Sequence, residues 1–387
     1  MKFATKSIHA GNEPEEKTGA VIPPIFMTST YAQEAPAEHK GYDYTRAGNP
    51  NFTVAEAQLS ALEFARYATV FSSGLGALTA YLSTLKQGDR IVAMDGLYGG
   101  TFRLIDKVFK KFGLEYTLVN PSETDRLISL LESGPELFLL ESPTNPLLDI
   151  HDIRYLTKIA KSSGTITIVD NTFATPYFQN PLTLGADIVW HSCTKYLGGH
   201  SDVIGGAMMT NDAGIDEALK FARMAIGVNP SPMDVWLLSR SLKTLAVRME
   251  KHQENALAIS HFLSDHPLVK KVYYPGLTGT KNHEKAKKQM SGFSGIVSVE
   301  FALPIEETKK LISSFDLFLL AESLGGVESL VDHPASMTHA SIPKEEREKM
   351  GLSDGLVRFS VGIEDIEDLI SDLKKAIEKS QHTLAAR

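Results

Sequence analysis

Lys195 sits among small hydroxyl residues and a glycine pair, in Ser192-Cys193-Thr194-Lys195-Tyr196-Leu197-Gly198-Gly199-His200, one residue after the apolar run ADIVW. An amine attacks a carbonyl carbon only when deprotonated, and a partly desolvated, cation-lined site favours that form. Ser192 and Thr194 carry hydroxyls that can donate to a phosphate. Read singly, a solvated surface lysine is the plainer account. Asp170 closes the apolar run TITIVD. A carboxylate buried there is costly unless something positive meets it. The plainer single account is an Asp capping the following Asp-Asn turn. The third segment is Ser72-Ser73-Gly74-Leu75-Gly76-Ala77. Where a strand gives way to a helix, free N–H groups and the positive helix end meet an anion, and glycine permits close approach. An ordinary Ser/Gly helix start explains it as well. Thr79 stands where a dinucleotide fingerprint needs a third glycine or alanine, and the lysine of a nucleoside-triphosphate loop is missing. Both ligands are disfavoured, which leaves a smaller phosphate-bearing cofactor.

A phosphate cradle at Ser73-Gly74, an acid at Asp170 and an amine at Lys195, in that order in one domain, together match the needs of a Schiff-base enzyme carrying pyridoxal 5'-phosphate. The acid meets the ring nitrogen and keeps the ring protonated as an electron sink. The twelve histidines are scattered without an H-E-x-x-H spacing, so no metal is expected.

These residues need a scaffold that places strand ends side by side. From about residue 56 short apolar segments alternate with helical ones, which predicts an α/β domain with a mostly parallel sheet covered on both faces. The expected strands are 69–72, 90–94, 115–119, 137–141, 165–170, 188–191 and 207–210, and the expected helices between them include 75–86, 101–112, 124–133 and 152–162. Ligands gather at the carboxyl ends of such strands. A long helical pattern after Pro230 bridges to a smaller C-terminal α+β domain, with strands near 295–303 and 357–361 and helices near 306–314 and 363–379. The division expected is an arm over 1–55, a cofactor domain over 56–244 and a second domain over 245–387. Of the 387 residues 43% are hydrophobic and 22% charged, the composition of an ordinary globular protein. The net charge of −8 with dispersed basic residues argues against a nucleic-acid partner. One cysteine, Cys193, excludes an internal disulfide. The opening MKFATKSIHAGNEPEE has no long apolar core of an export signal and no run is long enough to span a bilayer, so a cytoplasmic protein away from membranes is expected.

The sequence resembles the Cys/Met-metabolism family of pyridoxal enzymes, which holds cystathionine γ-synthase and the cystathionine β- and γ-lyases. The resemblance rests on TKSIHAG, GYDYTRAGNP, SSGLGA, GLYGGTFRL, ESPTNP, VDNTFATPYFQNPLTLGADIV, HSCTKYLGGHSD, SLKTLAVRMEKH, VYYPGL, AESLGGVESL, PASMTHASIP and GLVRFSVGIED, from residue 5 to about 365. It implies an aspartate-aminotransferase-like fold (fold type I) with a seven-stranded sheet. It also implies Lys195 as the Schiff-base lysine, Asp170 at the pyridine nitrogen, and Gly74, Leu75, Ser192 and Thr194 at the phosphate. Tyr44 and Arg46 match residues that reach the phosphate of a neighbouring subunit's cofactor, which implies shared sites in a homotetramer of dimers. Tyr98 matches the tyrosine stacked on the ring, Asn145 an asparagine near the ring hydroxyl, and Arg358 the clamp on the substrate's α-carboxylate. Ser323 fits a position beside the lysine and the substrate.

The implied activity is carbon–sulfur cleavage of a sulfur amino acid, cystathionine, with the γ-bond preferred because Glu322 matches the glutamate of the γ-synthases and γ-lyases. Loss of a β-substituent and γ-replacement by a synthase are the alternatives within the family, and a catalytically silent binding relative is the alternative outside them. Gly100 stands where methionine γ-lyases carry a cysteine, and Leu324 where the enterobacterial β-lyases carry a tryptophan. Asn51-Phe52 departs from the usual Thr-Arg.

Overall fold

A computed structural model describes residues 1–385 apart from 121, 339 and 341–343. The end of the PASMTHASIP segment therefore lies outside the described residues, as do 386 and 387. The chain divides into two compact units, Met1–Glu141 with Asp152–Ala246, and Ser142–His151 with Val247–Arg387. The ten-residue excursion 142–151 belongs with the C-terminal unit although the chain reaches it from within the N-terminal one.

The first unit is built on β1 (Tyr67–Phe71), β2 (Arg90–Met94), β3 (Glu115–Val119), β4 (Leu137–Glu141), β5 (Ile166–Asp170), β6 (Ile188–Ser192) and β7 (Gly206–Thr210). They form one sheet in the order β1-β7-β6-β5-β4-β2-β3. Strand β7 runs antiparallel to β1 and β6, and the remaining pairs are parallel. Phe71, Leu139, Ile168, Trp190 and Met208 fill a core on one face, while Val92, Phe138, Leu140 and Val169 fill one on the other. Strands buried on both sides read as continuous apolar runs rather than alternation, which is why the inner strands were visible in sequence.

The helices α1 (Phe3–His9) and α2 (Pro50–Glu63) were not anticipated, because residues 1–55 carry little periodicity. The Asn49 side chain accepts from the Asn51 N–H and Pro50 takes the first helical position, a favourable helix start. Gln58 and Glu63 are buried on α2 beside Leu59 and Leu62. Those inward polar residues blur the apolar stripe that would have announced it. The helix α3 (Gly74–Leu82) follows β1 after two residues. The segment expected as one helix over 101–112 changes pitch instead: α-helix over Gly99–Arg103, a π turn over Leu104–Val108 and a 3-10 turn to Phe112. The bridging helix is likewise two, Pro232–Leu242 and Leu245–Ser264. At the break the N–H and hydroxyl of Thr244 both turn back to the Ser241 carbonyl, each at 3.1 Å.

The second unit carries β8 (Val269–Tyr273), β9 (Ile296–Phe301), β10 (Leu319–Leu320), β11 (Leu330–Asp332) and β12 (Leu356–Ser360) in the order β10-β11-β12-β9-β8. Ile259 and Leu373 from its long helices pack with Val299, Phe318 and Phe359. Strand β8 escaped the sequence reading because it is an edge strand with exposed Lys270 and Lys271. Among the described residues no helix is long and apolar enough to cross a membrane.

Gly206 opens β7 and pairs with Phe71 at the end of β1 and with Ser192 at the end of β6. A Cβ there would lie 2.1 Å from the Ser73 carbonyl oxygen and 2.6 Å from the Gly74 nitrogen, and backbone cannot swing aside. Gly206→Ala is therefore expected to cost about 3 kcal/mol, a fall of roughly 5–10 °C in thermal midpoint. A melting curve checks this, and an unchanged midpoint would refute the tight approach.

Candidate active site

The parallel order brings the carboxyl ends of β1, β5 and β6 to one edge of the first unit's sheet. Past β1, Ser73 caps α3, its Oγ accepting from the Gly76 N–H at 2.9 Å. This leaves the N–H groups of Gly74 and Leu75 in the first turn, where a helix supplies no carbonyl partner. The Trp190 indole N–H donates to the Gly74 carbonyl at 2.8 Å and pins that turn to β6. A Cβ at Gly74 would stand 3.1 Å from both Cα and Cβ of Ser192, so glycine lets the helix start and the strand end close together. Ser73, Gly74, Leu75 and Ser192, expected at a phosphate, are thus neighbours.

Asp170 ends β5 partly exposed, and its Oδ1 accepts from the Thr172 N–H at 2.9 Å. Burial pushes its carboxyl above the ordinary range, opposed by the Thr172 hydrogen bonds and by His191. The Thr172 Oγ1 accepts from the Ser192 N–H at 2.9 Å, so one threonine joins the acid to the cradle. Sequence reasoning passed over Thr172, although an Asp followed two residues later by a threonine in a turn was the available signal. Lys195 lies half-buried in the turn after β6, its own N–H donating to the Ser192 carbonyl at 3.2 Å and its carbonyl accepting from Gly199 at 2.7 Å. Thr194 is turned toward Gly205, whose N–H donates to its Oγ1 at 3.1 Å. Cys193 is fully buried, and burial alone pushes its thiol up to about 12, which leaves it an inert filler.

Tyr98 precedes the helix at Gly99 with 47% of its surface exposed, and its N–H donates to Glu141 at 3.3 Å. Tyr44 is 45% exposed, and the Arg46 guanidinium lies 5.4 Å from its ring centroid while donating to the Met224 carbonyl at 2.8 Å. The Asn51-Phe52 departure finds its reason here. Asn51 accepts from the Phe26 N–H and donates to the Pro24 carbonyl, each at 2.8 Å, and fixes that part of the arm. Phe52 is buried with the Arg223 guanidinium 5.2 Å from its ring centroid.

In the second unit Arg358, on β12, is buried. Its Nη1 donates to Asn145 Oδ1 at 2.8 Å and its Nη2 to the Ser323 carbonyl at 2.9 Å. Its ladder partner on β11 is Asp332, and the two buried side chains form an ion pair. Asp332 was missed, because only strand register shows that it faces Arg358. Ser323 holds a left-handed φ of 111° that few residues other than glycine adopt, and Glu322 beside it is exposed.

The sheet order, the anion-ready helix start, the strand-end acid and the lysine define an aspartate-aminotransferase-like enzyme fold of the pyridoxal-phosphate type. A family model described as Cys/Met metabolism PLP-dependent enzyme matches residues 4–378, and the chain belongs to that family. Its cofactor is pyridoxal 5'-phosphate. The chain is 49% identical to a cystathionine beta-lyase of Lactococcus lactis subsp. cremoris, covering 97% of this chain and 98% of that one. It is 47% identical to a cystathionine gamma-lyase of Bacillus subtilis, covering 98% and 100%. The crystal structure of cystathionine gamma synthase from Xanthomonas oryzae pv. oryzae, in complex with cystathionine, superposes with a TM-score of 0.96 at 41% identity over 99% of both chains.

The residues present fit this cofactor. The first-turn N–H groups of α3 suit a phosphate, and a carboxyl raised by burial suits a cationic ring nitrogen. A carboxyl raised in the folded state lends stability at acid pH and forfeits it as pH climbs through the carboxylate range. Asp170→Asn should therefore raise the thermal midpoint of cofactor-stripped protein at pH ~7 by on the order of 2–4 °C, with no gain at pH ~3. The same substitution should weaken cofactor binding. Melts at the two pH values decide, and a lower midpoint at neutral pH would refute the assignment.

Proposed function

We propose that this chain is a carbon–sulfur lyase that cleaves cystathionine at its γ-bond, converting cystathionine and water to cysteine, 2-oxobutyrate and ammonia. The observation that carries the reading is the run Glu322-Ser323. One residue lends its carbonyl to Arg358, and its neighbour presents an exposed carboxylate. An amino acid whose α-carboxylate meets Arg358 and whose distal ammonium meets Glu322 is spanned by that pair. Likeness across the whole chain to enzymes named for cystathionine supports the same substrate.

The bound cofactor supplies a sink for the electrons left at Cα when its proton departs. Arg358 holds the α-carboxylate; a planar guanidinium already oriented by Asn145 and Ser323 makes two parallel hydrogen bonds where a lysine makes one. The Lys195 Nζ takes the Cα proton and, for a γ-leaving group, a proton from Cβ as well. Tyr98 would pack against the cofactor ring and help hold it. Asp170 would accept a hydrogen bond from the protonated ring nitrogen and keep it protonated. The γ-synthase reading, replacement of an activated homoserine's γ-substituent by cysteine, draws support from the cystathionine-bound synthase structure and uses the same residues. Supplying cystathionine and measuring 2-oxobutyrate against pyruvate separates the outcomes. Cysteine with 2-oxobutyrate is expected, homocysteine with pyruvate indicates β-cleavage, and neither product, with cystathionine formed from an O-acylhomoserine, sinks the lyase reading.

We further infer that Tyr44 and Arg46 reach the cofactor phosphate of a neighbouring subunit in a cytoplasmic homotetramer. Their exposure, beside exposed Val21 and Met27 on the same arm, supports this. Mixing inactive Tyr44→Ala and Lys195→Ala chains under subunit exchange should then restore about one quarter of full activity, because half the pairs are mixed and each holds one intact site. No recovery would place both residues in a site built from one chain.

A further inference from the structure

We propose that Glu63 is a positioning residue for the cofactor: through a buried node with His191, Asn171 and Asn180, it fixes the ends of β5 and β6 to α2 and so sets where Asp170 and the lysine-bearing turn stand. The inference rests on the reading that Asp170 meets the ring nitrogen and Lys195 carries the cofactor.

Glu63 is the last residue of α2 and is fully buried. Its Oε1 lies 2.5 Å from His191 Nε2, and because a carboxylate oxygen accepts, that ring nitrogen carries the proton. The same oxygen accepts from Asn171 Nδ2 at 3.0 Å, and Oε2 accepts from Asn180 Nδ2 at 3.3 Å. Gln179 braces the node, its Nε2 donating to Asn171 Oδ1 at 3.0 Å and its carbonyl accepting from Asn171 Nδ2 at 2.8 Å.

The position of the donors along the chain gives the node its purpose. Asn171 directly follows Asp170, and His191 directly precedes Ser192. The Asn171 N–H donates to the Trp190 carbonyl at 2.9 Å, while Thr172 joins Asp170 to the Ser192 N–H. A closed circuit therefore runs from Glu63 through Asn171, Thr172 and Ser192 to His191 and back to Glu63. Two strand ends that carry the acid and the lysine turn are tied at one carboxylate. A buried carboxylate is a poor way to gain stability, since apolar packing of equal volume often serves better. Directional hydrogen bonds fix positions that apolar contacts leave free to slide. Among the described residues the buried Nδ1 of His191 has no hydrogen-bond partner, which is a further cost the fold accepts here.

The test uses Glu63→Gln, which keeps the shape but sets an amide N–H₂ among three donors. Pyridoxal 5'-phosphate is titrated into stripped protein, the visible circular dichroism of the bound cofactor is recorded, and the stripped protein is melted. Expected are a dissociation constant for pyridoxal 5'-phosphate raised about tenfold and a visible band reduced by about half. A lowered melting point with affinity and band unchanged would show a merely structural group and overturn the proposal. If Glu63→Gln does not fold, His191→Gln and His191→Leu take its place. Gln keeps a donor near the Nε2 position and should stay within about threefold of the parent affinity, whereas Leu should lose about tenfold. Equal behaviour of the two overturns the proposal. Asp170→Asn run alongside separates the premises. If it alone disturbs affinity and band, only the role of Glu63 falls; if it leaves both unchanged, the assignment of Asp170 falls with it.

Discussion

The close approach of backbone to backbone at Gly206 is the constraint on which the N-terminal unit depends. One antiparallel strand begins where two others end, and its first residue lies flat against Ser73 and Gly74. Only because no side chain intervenes can the start of α3 stand against Ser192. Parallel β5 then delivers Asp170 to the same edge. A helix start, a carboxylate and a lysine turn drawn from distant parts of the sequence become neighbours through sheet order, and the chemistry follows from that order rather than from any one motif.

The C-terminal unit solves a different problem, that of keeping a guanidinium buried yet directed. Arg358 is neutralised by Asp332 across one ladder position and oriented by an amide and a carbonyl. An arginine left alone at that depth would carry a heavy desolvation cost. The left-handed backbone at Ser323 aims its carbonyl at Arg358, a local strain accepted where a side chain has to be aimed.

Much of this was legible in the sequence. Strands β2 and β4 lie where their apolar runs put them, because a strand buried on both faces has no polar interruption. The cradle, acid and lysine were visible because each follows an apolar run and breaks its pattern. Helix α2 was hidden because Gln58 and Glu63 point inward, and β8 because its lysines face outward at a sheet edge. Thr172 and Asp332 were hidden for another reason: their partners are set by turn geometry and strand register, which no local pattern encodes.

The excursion 142–151 has a consequence for how the molecule is made. Asn145 precedes its partner Arg358 by 213 residues. A chain emerging from the ribosome has the whole first unit in hand once residue 246 is out, with the ten-residue excursion still lacking the segment it belongs to. The first unit can be complete during translation. The pair of Asn145 and Arg358 waits until β12 has been made.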